Sequence, residues 1–165
     1  MKICIYGAGA IGGYLGSGLT RSIADVSLVA RGAHLAAIQT DGLTLIKGGQ
    51  VTTTSVHATD DPRGLGVQDV VIITLKAPSV IPALGQLAML IGPDTAVVWC
   101  VNGVPWWYFH RLEGPWRDSR IQCLDPNDAQ RHTLGPDRMI GCVAYPACEV
   151  TAPGVITHFN GDRFV

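Results

Sequence analysis

Apolar positions in the first hundred residues follow two periods, one of strands and one of helices. Residues 2–6 (KICIY) predict a short strand. From residue 10 to 22 the apolar side chains Ile11, Leu15 and Leu19, with Ile23 just beyond, recur at steps of four, the stripe of a helix. Residues 26–30 (VSLVA) predict a second strand, and 32–40 a short helix stopped by Asp41-Gly42. Two β-rich stretches, 43–46 and 51–54, flank the turn at Gly48-Gly49. Within 67–77 (VQDVVIITLKA), Val70 to Thr74 is apolar and β-branched on both faces, as a covered parallel strand must be. A helix is predicted in 78–92 (PSVIPALGQLAMLIG) and another buried strand in 95–103 (TAVVWCVNG).

Beyond residue 103 the periods weaken. A surface helix is expected near 105–112, then mostly loop through 111–138, where Arg, Asp, Pro and Gly accumulate. Residues 138–150 and 154–165 predict two strands joined by Thr151-Ala152-Pro153-Gly154. Strands alternating with helices imply an α/β fold: a Rossmann-type, doubly wound, mostly parallel sheet with helices on both faces. Residues 1–165 are expected to form one domain. Arg163-Phe164-Val165 falls inside a strand pattern, so the chain reads as part of a longer protein.

Composition narrows the function. Hydrophobic residues make up 47% and charged residues 15%, with a formal net charge of −1, so no basic stripe suits a nucleic-acid backbone. No apolar run reaches the ~18 residues of a membrane span, and the N-terminus lacks the apolar core of a signal peptide. The expectation is a cytoplasmic protein without nucleic-acid or membrane partners. Cys4, Cys100, Cys123, Cys142 and Cys148 form no C-x-x-C pair. Cys4 and Cys100 fall in apolar runs, where cysteine is a small buried hydrophobe, so a metal or disulfide is the lesser reading. The five histidines are scattered without metal spacing, and none is assigned to catalysis.

The chemistry lies in Gly7-Ala8-Gly9-Ala10-Ile11-Gly12, a G-x-G-x-x-G between a predicted strand and a predicted helix. The first glycine permits a tight turn. The second admits a pyrophosphate close to the backbone, and the third lets helix and strand pack closely. The helix N-terminus adds free N–H groups and partial positive charge. Gly13, Gly16 and Gly18 extend a small face for packing. An NAD site places a carboxylate after the second strand; here stands Arg31, whose planar guanidinium suits a 2′-phosphate, so NADP(H) is the expected cofactor. Lys76 and Asn102 end two other strands at the same rim and should face one crevice. Lys76 also fits a flanking solubility charge, and Asn102-Gly103 a simple turn.

These stretches together resemble the ketopantoate reductase (2-dehydropantoate 2-reductase) family: KICIYGAGAIGGYLG, SLVARGAHLAAI, ITLKA, VNGVPWWYF and IGCVAYPACEVTAPGVITH. The resemblance implies NADPH-dependent reduction of a small 2-keto acid, ketopantoate, on the route to pantothenate and coenzyme A. It implies that Gly7, Gly9 and Gly12 hold the pyrophosphate and Arg31 the 2′-phosphate. It further implies that Lys76 and Asn102 line the cofactor and substrate crevice and that Ala147 approaches the cofactor. The family's catalytic Lys belongs to a helical C-terminal domain, beyond residue 165. Two other readings stay open: a reductase of another 2-keto acid on the same scaffold, or a non-catalytic NADP-binding or sensor module. A homo-oligomer is compatible with either.

Overall fold

A computed structural model describes residues 1–22 and 25–165. Ile23, the last member of the predicted helical stripe, lies outside the described residues. The main sheet has six strands: β1 (Lys2–Tyr6), β2 (Asp25–Val29), β5 (His57–Thr59), β6 (Val70–Ile73), β7 (Ala96–Trp99) and β8 (Met139–Gly141). They lie in the order β5-β2-β1-β6-β7-β8, and every pairing is parallel. Strand order reverses between β1 and β6, the switch point where doubly wound folds take ligands.

Alternation along β1 divides the core in two. Ile3 and Ile5 point to one face and Cys4 and Tyr6 to the other. The first face is covered by α1 (Ala10–Thr20) and α2 (Gly32–Asp41), through Ile11, Leu15, Leu35 and Ile38. The second is covered by α3 (Val80–Leu87) and α4 (Ala129–Leu134), through Val80, Leu84, Leu87 and Leu134. Burial pushes the Cys4 thiol up to about 12, so it stays a neutral hydrophobe.

A second, four-stranded sheet was not foreseen as a unit. It joins β3 (Leu43–Lys47), β4 (Gln50–Thr54), β9 (Ala147–Ala152) and β10 (Val155–Asn160) in the order β4-β3-β10-β9. β3 and β10 pair in parallel, whereas the β3–β4 and β9–β10 pairs are antiparallel hairpins. This sheet packs on the outside of α1, which is therefore pressed between two sheets. A Cβ on Gly16 would stand 2.8 Å from Leu28 Cδ2 of the main sheet, and one on Gly13 would stand 2.6 Å from Ile156 Cγ1 of the second. Both glycines serve packing, as expected. Gly18 does not: it is exposed, with nothing within 4 Å of its Cβ position.

Several boundaries move. The predicted strand 138–150 splits, its start joining the main sheet as β8 and its end the second sheet as β9. The helix expected at 105–112 is a series of turns, with Tyr108 N–H donating to Pro105 O and His110 N–H to Trp107 O. Arg111 has φ +56°, a left-handed conformation that stops any helix there. Packing explains the shape: Trp106 is buried, and Trp107 meets Trp99 edge-on at 5.3 Å. Inside the expected loop 111–138, α4 forms because buried Asp125 accepts from the N–H groups of Gln130 at 2.7 Å and Arg131 at 3.0 Å.

Candidate functional site

Parallel strands bring their carboxyl ends to one rim. The glycine loop follows β1, Arg31 follows β2, Lys76 follows β6 and Asn102 follows β7. In the order β2-β1-β6-β7 these segments span three strand spacings, about 14 Å. The four predicted elements of the site thus share one edge of the sheet, across the switch point.

The loop itself is tightly held. Gly7 takes φ +110°, and its N–H and that of Ala8 both donate to Val29 O, at 3.1 and 2.9 Å. The Thr74 hydroxyl donates to Gly7 O at 2.6 Å, tying the loop to the end of β6. Gly12 closes the turn: a Cβ there would lie 2.1 Å from Gly7 O and 2.6 Å from Thr74 Oγ1. Gly9 differs from both. It caps α1 with ordinary extended backbone (φ −70°, ψ −160°), and nothing lies within 4 Å of its Cβ position. Protein packing therefore asks for glycine at 7 and 12, and leaves clear space at 9. No acidic residue stands in the first turn of α1 and no side chain caps it, so its leading N–H groups and partial positive charge remain available to an anion.

His34 was not assigned a role from sequence, yet it buttresses this loop. Its Nδ1 accepts the Gly154 N–H at 3.0 Å, which makes Nε2 the protonated nitrogen, and Nε2 donates to Ala8 O at 2.7 Å. The ring thereby joins the glycine loop, α2 and the β9–β10 turn. Thr74 was also missed. Its only sequence signal is a hydroxyl at the end of an apolar strand.

Arg31 is exposed at the N-cap of α2, with extended backbone. Its guanidinium acts on the Tyr6 phenol at the end of β1. Burial first, and Cys4 second, raise that phenol above its ordinary value, while Arg31 pulls it down. Lys76 is exposed, and its ammonium has no hydrogen-bond or ion-pair partner among the described residues. Asn102 is engaged: its Nδ2 donates to Ala144 O at 2.9 Å, and its Oδ1 accepts the Ala144 N–H at 3.0 Å. It acts as a peptide unit, continuing the β7–β8 pairing past the strand ends. Ala147 opens β9 in the second sheet and is exposed.

An open cleft of ≈ 500 Å³, lined by Asp60, Asp61, Arg63, Gln86 and Met89, begins where β5 ends and includes none of the predicted site residues. The Arg63 guanidinium is bound to Asp61 from Nε and Nη2, so the cleft offers no free cation to a phosphate. Among the described residues, no group of three or more His, Cys, Asp or Glu side chains could hold a metal ion, and no helix is long and apolar enough to cross a membrane.

Comparison with family profiles gives the family. The family profile described as "Ketopantoate reductase PanE/ApbA" matches residues 3–107. A 2-dehydropantoate 2-reductase of Mesorhizobium japonicum is 52% identical over 165 residues, covering 99% of this chain and 51% of that protein. Another, from Pyrococcus horikoshii, is 38% identical over 104 residues, 63% of this chain and 34% of that protein. A crystal structure named as a ketopantoate reductase from Ralstonia solanacearum MolK2 superposes with TM-score 0.91 at 44% identity, covering 99% of this chain and 50% of that one. The chain thus spans about half the length of these full-chain matches.

Proposed function

This chain belongs to the ketopantoate reductase PanE/ApbA family, and from that premise we propose that it is the NADPH-binding part of an enzyme reducing 2-dehydropantoate to pantoate, a step toward pantothenate and coenzyme A. The observation that carries the reading is the contrast within the loop. Gly7 and Gly12 are fixed by neighbouring atoms, whereas Gly9 faces clear space at an uncapped helix N-terminus. A Cβ at Gly9 would fill a place that the protein leaves open, which fits a pyrophosphate resting on the backbone.

In this reading the pyrophosphate rests on the segment Gly7, Ala8, Gly9, Ala10, Ile11 and Gly12: the leading N–H groups of α1, from Gly9 to Gly12, donate to it, while the Gly7 and Ala8 N–H groups, already bonded to Val29 O, shape the turn. Arg31 takes the 2′-phosphate with a planar pair of donors. Thr74 and His34 keep the loop rigid, so its N–H groups need no reordering when the anion arrives. Asn102 fixes the rim between β7 and β8, and with Lys76 forms the wall facing the keto acid. Ala147 lines the cofactor from the second sheet. When bound, NADPH supplies the hydride. The proton donor is assigned to a Lys in a helical domain beyond residue 165, following the family resemblance.

The test is cofactor choice. Arg31→Ala should weaken NADPH about 10- to 100-fold, the worth of a lost charge-assisted contact. NADH, lacking the 2′-phosphate, should bind as before. Titration by nicotinamide fluorescence reads both. Equal weakening of the two, or of neither, removes Arg31 from the site.

A further inference from the structure

Two cysteines outside the cofactor site stand side by side. In the β7–β8 pair, Val97 faces Met139, Val98 faces Ile140 and Trp99 faces Gly141. The pairing continues one step, since Cys142 N–H donates to Trp99 O at 3.0 Å. That bond sets Cys142 beside Cys100. Alternation along the strands turns both side chains to one face: Cys100 and Cys142 belong to the α1-side core, Trp99 to the opposite one. Neighbouring strands lie about 4.8 Å apart, inside the ~4.4–6.8 Å Cα separation that a disulfide spans. Cys100 is 5% exposed, and Cys142 is half-buried. Burial lifts the Cys100 thiol to about 12, and the adjacent Cys142 thiol adds to the rise.

The pair closes a loop. Residues 101–141 leave the sheet after β7 and return as β8, carrying Trp106 and α4 between. One row further on, the Asn102 amide already clasps Ala144. We propose that Cys100 and Cys142 form a reversible disulfide, driven by peroxide, that locks the 101–141 segment to the main sheet. The inference is independent of the cofactor and substrate assignments.

Cys142, the more accessible, reacts first. Its thiolate attacks one peroxide oxygen and the O–O bond breaks. The leaving hydroxide takes up a proton as water, and a sulfenic acid remains. The Cys100 sulfur then attacks the sulfenic sulfur and the S–O bond breaks. The departing hydroxide takes the Cys100 proton as a second water. Two thiols and one hydrogen peroxide thus become one disulfide and two waters; the sulfurs lose two electrons and the peroxide gains them. The high value of the buried Cys100 thiol keeps it from reacting with peroxide on its own. A dithiol reductant reverses the link by exchange.

The experiment uses the 165-residue chain carrying Cys123→Ser, because exposed Cys123 would link separate copies. Hydrogen peroxide treatment, alkylation of remaining thiols, digestion and mass mapping should recover the Cys100 and Cys142 peptides joined and two hydrogens lighter. Dithiothreitol should restore both thiols. Closing a loop of this length should raise Tm by about 5–10 °C in the oxidised form. Cys100→Ser and Cys142→Ser should each abolish both the link and the Tm shift. Cys142 recovered as sulfinic acid beside a free Cys100, or either cysteine joined to Cys148, overturns the pair. A Cys100–Cys142 link with Tm unchanged or lowered overturns the lock.

Discussion

Gly7, Gly9 and Gly12 meet three different demands within one turn. Gly7 needs a positive φ, Gly12 needs room against Gly7 O and Thr74 Oγ1, and Gly9 needs neither. Substitution separates these roles. Gly9→Val should fold, at a cost of about 1 kcal/mol for a poorer N-cap. It should lose NADPH affinity by about 100-fold or more, near 3 kcal/mol, because the branched side chain would occupy the approach proposed for the pyrophosphate. Gly12→Ala should lose both affinity and stability, since its Cβ has no space. Thermal melts and NADPH titrations of the two variants distinguish the cases; a Gly9→Val protein that melts normally and binds normally would remove the loop from the site. The glycines could be read from sequence because their pattern is local. Thr74 and His34 could not, because their partners, Gly7 and Gly154, are close in space and remote along the chain.

Among the elements, α1 carries the strongest constraint. A helix with glycine at 12, 13, 16 and 18 has poor intrinsic stability, and is held by two sheets that press on it from opposite sides. Gly13→Ala should destabilise by about 1–3 kcal/mol, because the new methyl group meets Ile156, a fully buried side chain. Gly18→Ala should stabilise by about 0.5–1 kcal/mol, since its surroundings are open and alanine is the better helix former. Urea unfolding of the pair checks both signs; a stabilising Gly13→Ala would mean that the second sheet does not press on α1. The strands and helices of the first hundred residues were legible because each carries its own period. The second sheet was not, since β3 and β4 announce a hairpin but say nothing of the distant β10 that completes it. The aromatic segment after Pro105 misled for a related reason: its apolar residues suggest a helix, yet their burial against Trp99 requires turns.

For the whole molecule, binding and turnover are separable properties. In the proposed reading, the glycine loop, Arg31 and a wall at Lys76 and Asn102, all at one edge of the sheet, serve a dinucleotide. Reduction of a keto acid also requires a proton donor beside the carbonyl, worth about 10²–10⁴-fold in rate. The candidates at hand are poor. Asn102 has both ends of its amide on Ala144. His158 stacks on Tyr14 with ring centroids 5.0 Å apart, and its Nε2 is bonded to Gly161 O. Tyr145 is 59% exposed, and Lys76 is exposed without a partner among the described residues to orient it. An open rim also leaves the substrate poorly positioned, a further loss of rate. The 165-residue chain should therefore bind NADPH and yet oxidise it, in the presence of 2-dehydropantoate, no faster than a control lacking the keto acid. The absorbance of NADPH reads this directly, with the Mesorhizobium japonicum relative, half of whose length this chain covers, as the active reference. Turnover within tenfold of that reference would show that a donor is already present, and Lys76→Met, Tyr145→Phe and His158→Gln would then identify it.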